Sequence, residues 1–182
     1  MENFVVFVLL SLPVLAISRR SLFKLRSHGF YRFFAWESMA FLLSINYPYW
    51  FINPFETLQI ISWLLLFGAI YPLAAGFIEL KMKGKSQKCR QGDSYYKFEE
   101  TTEVVDTGIY KYIRHPMYCS LLLLTWGIFL KNPVTDALLA SLVASIFLFF
   151  TSVFDEKECL SFFGEKYRDY MKRTKRFIPY IF

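Results

Sequence analysis

Five apolar runs separated by polar connections constrain this chain more than any other feature of its sequence. A bilayer core needs about 20 mainly apolar residues per helix, with a lower limit of roughly 17. Residues 33–52, 58–80 and 134–154 meet that requirement. Residues 4–18 and 116–130 are shorter runs that need local thinning, flanking anchors or protein neighbours. The composition, 55% hydrophobic with 21 Phe and 12 Tyr, exceeds that of an ordinary soluble domain, and the excess sits in the runs. At 182 residues the chain has room for one compact domain. The expected fold class is therefore all-α, a polytopic membrane protein with about five transmembrane helices.

Charge fixes the expected sidedness. Arg19, Arg20, Lys24, Arg26 and Arg32 follow the first run, and residues 53–56 carry no basic group. Lys81, Lys83, Lys85, Lys88, Arg90, Lys97, Lys111 and Arg114 crowd the third connection, Lys131 alone lies in the fourth, and seven more follow the fifth run. With five spans, 20 of the 21 basic residues fall on one side, and cytoplasmic loops carry the Lys/Arg excess. This predicts an N-terminus outside and a C-terminus inside. A re-entrant hairpin over residues 116–154 would leave the tail on the same side. The first run has Glu2 before it and Arg19–Arg20 after it, the reverse of a secretory signal, so it reads as a retained anchor. The formal charge of +6 is explained by topology and anionic lipid, which leaves nucleic acid out as a partner. Cys89, Cys119 and Cys159 show neither a disulfide framework nor metal-ligand spacing.

There are no internal repeats, so a single domain over residues 1–182 is expected, with spans in 1–80 and a chemistry-bearing part in 94–182. Residues 98–105 suggest a short strand or extended segment. Thr107–Gly108 is a turn signal, and Pro116 suits the first turn of a helix that would begin at the membrane surface. In residues 155–174, Cys159, Phe163, Tyr167, Tyr170 and Met171 form an amphipathic stripe, with a bend at Gly164. Lys172, Arg173, Lys175 and Arg176 then suit a phospholipid surface.

Two polar clusters lie where apolar runs meet the basic side: residues 108–118 and Asp155-Glu156-Lys157-Glu158. On physics alone they are equally well read as helix caps and snorkelling anchors. They are also complementary. Aromatic faces attract a sulfonium cation, carboxylates take an ammonium group or ribose hydroxyls, and Arg or a helix N-terminus takes a carboxylate.

The stretch Arg114-His115-Pro116-Met117-Tyr118, followed in order by Asp155-Glu156, Leu160, Phe163-Gly164-Glu165-Lys166-Tyr167, Tyr170 and Ile178-Pro179, resembles the isoprenylcysteine carboxyl methyltransferase and phospholipid methyltransferase superfamily. The resemblance covers roughly residues 98–179. It implies an integral-membrane methyltransferase with S-adenosyl-L-methionine as cofactor in a cytoplasmic pocket. It also implies cofactor contacts from Thr102, Glu103, Val104, Val105, Tyr110, His115, Pro116, Met117, Tyr118 and Asp155, with Glu156 as the neighbouring acid. The candidate catalytic residues are His115, Arg114 and Glu156; no metal is implied, because a sulfonium methyl is already activated. The implied partners are membrane lipids and a lipophilic or small-molecule methyl acceptor; the apolar runs make the expected setting a multi-pass membrane protein, and the small size points to a prokaryotic inner membrane.

Three positions depart from the family pattern. Thr151 stands where the carboxyl methyltransferases carry an Arg taken to hold the substrate carboxylate, Thr102 where His is frequent, and Ser120 where Gly is common. The cofactor half of the site is thus expected to be intact and the acceptor half altered. Two competing readings are a nicotinamide-dependent membrane reductase of related fold and a non-catalytic membrane scaffold.

Overall fold

The computed structural model describes residues 2–84 and 101–181. Cys89 and the first three residues of the suspected extended segment 98–105 lie outside them. Among the described residues six α-helices follow one another: α1 (Glu2–Ser18), α2 (His28–Asn46), α3 (Thr57–Lys83), α4 (Pro116–Phe129), α5 (Thr135–Phe163) and α6 (Glu165–Arg173). Among the described residues there is no strand, and residues 101–105 are irregular. An isolated bridge between extended backbones pairs Ile113 with Lys175 in parallel.

Helices α3 and α5 are long and apolar enough to cross a membrane, and only 28% and 39% of their apolar windows are buried within the protein. At 1.5 Å per residue they measure about 40 and 43 Å, against about 30 Å of bilayer core, so each extends past its apolar part. Helix α4, at 14 residues, reaches only about 21 Å. The expected run at 33–52 is displaced: α2 starts at His28 and ends at Asn46. Ser27 caps its start by accepting the Phe30 amide, and the polar residues of its first half find partners inside the protein. The His28 Nδ1 lies 2.9 Å from Glu158 Oε2, the Arg32 guanidinium stacks over Trp36, and Ser11 Oγ donates to Glu37 Oε2 at 2.7 Å. At its other end α2 gives way to the 3-10 turn Tyr47–Tyr49, which contains Pro48.

The packing is that of a protein whose outside is apolar. Leu64, Phe67, Ile70, Leu139 and Ile146 are exposed, whereas the contact face of α5 consists of Ala137, Ala140, Ser141, Ala144, Leu148, Thr151 and Ser152. Small residues let helix backbones approach where the surroundings are as apolar as Leu itself. The most extensive contacts are α2 on α5 and α3 on α4. Helices that pack on one another run antiparallel: Phe7 of α1 meets Phe41 of α2, Leu66 of α3 meets Gly127 of α4, and Tyr31 of α2 stacks on Phe154 of α5.

At one end of the bundle, polar side chains close the last turn of α4. Asn46 Nδ2 donates to Ile128 O (2.8 Å), Ser62 Oγ to Gly127 O (2.7 Å), and Gln59 Nε2 to Lys131 O (2.9 Å). The last carbonyls of a helix lack the regular i+4 donor, and in a membrane no water would serve them; Ile128 O accepts from the Lys131 amide (3.1 Å) as well as from Asn46. Lys131, the one basic residue at this end among the described residues, is buried with its ammonium 3.7 Å from the Trp63 ring centroid and donating to Gln59. The opposite end gathers the close of α3, the start of α4, the polar end of α5, and α6. That end holds the site.

Candidate active site

The segment leading into α4 is anchored on the end of α3. Thr107 Oγ1 donates to Glu79 Oε2 at 2.9 Å and accepts from Lys83 Nζ at 2.9 Å. Gly108 then turns with φ of +56°, its Cα facing the Glu79 carboxylate so closely that any Cβ would collide with it. A 3-10 turn, Gly108–Lys111, brings Tyr110 inward, where its carbonyl accepts from Tyr170 Oη at 2.8 Å. Pro116 opens α4, and His115 is its N-cap residue. Helix α5 runs straight through the acidic cluster to Phe163; the chain breaks at Gly164 and resumes as α6, whose Tyr167 and Tyr170 face inward. The stripe read from the sequence is thus split between two helices.

These elements line one cavity with about 670 Å³ of empty space, its open mouth included. Glu103, Val104, Val105, Tyr110, Arg114, His115, Pro116, Met117, Tyr118 and Asp155 all line it, from segments widely separated in the chain. Thr102 and Glu156 do not. Six further residues complete the wall: Leu80, Thr101, Cys159, Phe163, Tyr167 and Tyr170. Phe163, Tyr167 and Tyr170 were legible as a helical stripe and as part of the family resemblance but not as cavity wall, Cys159 only as part of the stripe, while Leu80 and Thr101 carried no signal for the site in the sequence.

Within the cavity the His115 and Tyr118 rings stack, and both approach one acid. The Tyr118 hydroxyl donates to Asp155 Oδ2 at 3.4 Å, His115 Nδ1 lies 3.6 Å from the same oxygen, and Cys159 Sγ lies 3.7 Å from Asp155 Oδ1. Burial pushes the phenols of Tyr167 and Tyr170 up from their ordinary value, so both remain neutral.

Behind the wall, Glu156 is 4% exposed and is surrounded by cations. Its Oε1 accepts from Arg114 Nε (2.8 Å) and Arg176 Nε (3.1 Å) and lies 3.3 Å from His115 Nε2; Oε2 accepts from Arg176 Nη2 (2.5 Å). Glu156 lies past the apolar part of α5. Burial there raises its pKa, but the hydrogen bonds from His115, Arg176 and Arg114 prevail and hold the carboxyl well below the usual range. Arg114 also donates to the carbonyls of Met171 and Thr174. Backbone bonds stitch the tail to the same segment: Arg114 N to Lys175 O (2.8 Å), His115 N to Arg176 O (3.1 Å), and Lys175 N to Tyr112 O (3.1 Å). Arg176, expected at a lipid surface, therefore belongs to the site's scaffold.

The donor set suits a cationic, hydroxyl-bearing ligand: stacked and flanking rings, a carboxylate, and backbone running along residues 103–105. Among the described residues, no cluster of three or more His, Cys, Asp or Glu side chains could hold a metal ion.

The profile of the phospholipid methyltransferase family matches residues 63–168, from within α3 to within α6. Among curated proteins, the chain is similar to a methanethiol S-methyltransferase of Pseudomonas deceptionensis, 32% identical over 71 residues that make up 39% of this chain and 26% of that protein. It is also similar to the protein-S-isoprenylcysteine O-methyltransferase of Mus musculus, 33% identical over 86 residues, 45% of this chain and 29% of that one. The matched part thus spans only between a quarter and a third of these relatives' own length. No solved structure matches.

Proposed function

This chain belongs to the phospholipid methyltransferase family, and we propose that it is an integral-membrane methyltransferase that uses S-adenosylmethionine and methylates a lipophilic or small membrane-accessible acceptor. The observation that carries the reading is the convergence of His115, Tyr118 and Asp155, from two distant segments, on one aromatic cavity. The relatives named for S- and O-methyl transfer support it.

In this reading the five helices α1–α5 cross the membrane with the N-terminus outside. The cavity lies on the cytoplasmic side, where 20 of the 21 basic residues gather. Helix α6 lies along the interface, its charged face outward and Tyr167 and Tyr170 inward. S-adenosylmethionine supplies an already activated methyl group on a cationic sulfur, so the protein's work is to bind, orient and exclude water. Asp155 accepts hydrogen bonds from the ligand's ammonium or hydroxyl groups. The faces of Tyr118, Phe163 and Tyr167 surround its cationic centre. The amides along residues 103–105 offer edge contacts, and the rings of Tyr110 and Tyr170 close the inner wall.

The acceptor reaches this cavity from the bilayer. Thr151 is fully buried, and its hydroxyl is spent on Phe147 O at 2.7 Å, so this position presents no cation to a substrate carboxylate. This supports an acceptor other than a prenylcysteine carboxylate.

The test is saturable binding of S-adenosylhomocysteine to the purified protein in detergent, followed by transfer of labelled methyl groups in membranes with lipid, peptide and volatile products separated. No saturable binding, or binding of a reduced nicotinamide cofactor in its place, overturns the assignment.

A further inference from the structure

The four basic residues of the tail do not act as one patch. Lys172 pairs with Asp169 at 2.8 Å and Arg173 with Asp106 at 3.4 Å, both at the surface. Arg176 turns inward, with its guanidinium carbon 5.1 Å from the Phe149 ring centroid and two nitrogens on Glu156. We propose that Arg176 is a positioning residue of the active site: by capping Glu156 it holds the tail against residues 112–115 and fixes Arg114 and His115 at the cavity wall. The proposal rests on the reading of that cavity as a methyltransferase site.

The argument begins with the two oxygens of Glu156. Oε1 is shared, with Arg114 Nε and Arg176 Nε donating to it and His115 Nε2 at 3.3 Å. The hydrogen bond to Oε2 comes from Arg176 Nη2 alone among the described residues. An ionised carboxylate with one oxygen buried and unserved is costly. Without Arg176, the carboxylate would rotate to bring Oε2 toward the nearest donors, Arg114 and His115. Those two side chains would then leave the places they now occupy. A planar fork with two parallel N–H groups serves both oxygens at once, which an ammonium group does less well.

The second part of the argument is the backbone. The Arg114 and His115 amides, immediately before the first turn of α4, donate to the carbonyls of Lys175 and Arg176. Phe177 follows directly, is 5% exposed, and has its ring centroid 6.1 Å from that of His115. Arg176 therefore fastens the strap at its midpoint, between the bridge at Lys175 and the ring contact at Phe177. A residue held only at a lipid surface would show neither the carboxylate fork nor the backbone pairing.

The test uses the full chain in detergent, with Arg176→Gln and Arg176→Lys beside the wild type. Hydrogen exchange of peptides covering Tyr112 to Tyr118 reads the strap, and S-adenosylhomocysteine affinity reads the cavity. Arg176→Gln is expected to speed exchange of the Arg114 and His115 amides and to weaken affinity by about tenfold. Arg176→Lys, which retains the charge, is expected to recover part of both. Unchanged exchange where α2 and α5 pack shows that the variants are folded. Wild-type exchange and affinity in Arg176→Gln overturn the proposal and return Arg176 to a lipid-anchoring role. A wild-type protein that binds no S-adenosylhomocysteine overturns the methyltransferase reading instead, while the exchange measurement still decides whether Arg176 fastens the strap.

Discussion

The rings of His115 and Tyr118 stack with centroids 5.2 Å apart and planes 15° from parallel, and both lie against the carboxylate of Asp155. They sit on the first turn of α4 and at its cap, so their spacing follows from the helix, whereas Asp155 arrives from α5. If these groups surround a cationic ligand, each contributes on the scale of about 1–2 kcal/mol, through ring–cation attraction or a charge-assisted hydrogen bond. Asp155→Ala and His115→Ala are expected to weaken S-adenosylhomocysteine binding by about five- to thirtyfold and to leave membrane insertion intact. Titration calorimetry of the purified variants checks this; wild-type affinity in both removes them from the site.

Gly76 of α3 packs directly on the residues that open α4. A Cβ there would lie 2.9 Å from Pro116 Cγ and 3.3 Å from Met117 Cγ. The Pro116 ring cannot rotate away, so the strain must pass into α4 itself. Gly76→Ala is expected to cost about 1–3 kcal/mol of stability, the usual range for overpacking. It is also expected to weaken ligand binding, because Pro116 and Met117 line the cavity. Thermal unfolding in detergent with and without S-adenosylhomocysteine measures both effects. An unchanged midpoint would show that α3 and α4 separate freely at this point.

Apolar runs and proline placement made the helices legible: α1, α3 and α4 begin or end within a few residues of the apolar boundaries, and α4 starts at Pro116 as its missing amide hydrogen dictates. The start of α2 was not legible, because His28 and Arg32 look like surface residues until Glu158 and Trp36 are seen beside them. The same reason hid the role of Arg176. A basic tail next to a membrane has a sufficient local explanation, and nothing in residues 172–176 marks which of the four cations will find a buried carboxylate 20 residues earlier. The cavity's membership was better read than its inner order. Asp155 and Glu156 are adjacent in sequence, yet helical geometry turns one into the cavity and the other behind its wall.

Asn46 and Ser62 act at the far end of the bundle, where they donate to Ile128 O and Gly127 O at the close of α4. Hydrogen bonds between membrane helices contribute on the order of 0.5–2 kcal/mol each. Asn46→Ala and Ser62→Ala are therefore each expected to lower stability by an amount in that range without changing cofactor affinity, since neither residue lines the cavity. Denaturation in detergent paired with binding measurements distinguishes this from a role in the site. A loss of affinity with unchanged stability would contradict it.

Glu156 supplies a pH dependence whose sign is fixed by its surroundings. The neighbouring His115, Arg176 and Arg114 hold its folded-state pKa below the ordinary value of 4.5 even though burial acts in the opposite direction. A depressed acid adds stability that is fully present above its unfolded-state pKa and lost as pH falls toward the folded-state value. The loss should therefore be confined to the region below about pH 4.3, the usual unfolded-state value for Glu. The expected outcome is an unfolding midpoint that falls steeply below that pH in the wild type and less steeply in Glu156→Gln, in which no carboxylate remains to be protonated. At neutral pH, Glu156→Gln should also unfold more readily, because Arg114 and Arg176 then share a neutral partner. Midpoints recorded from pH 3 to 7 decide the matter: parallel profiles for the two proteins would show that Arg114 and Arg176 are not paired with an ionised Glu156.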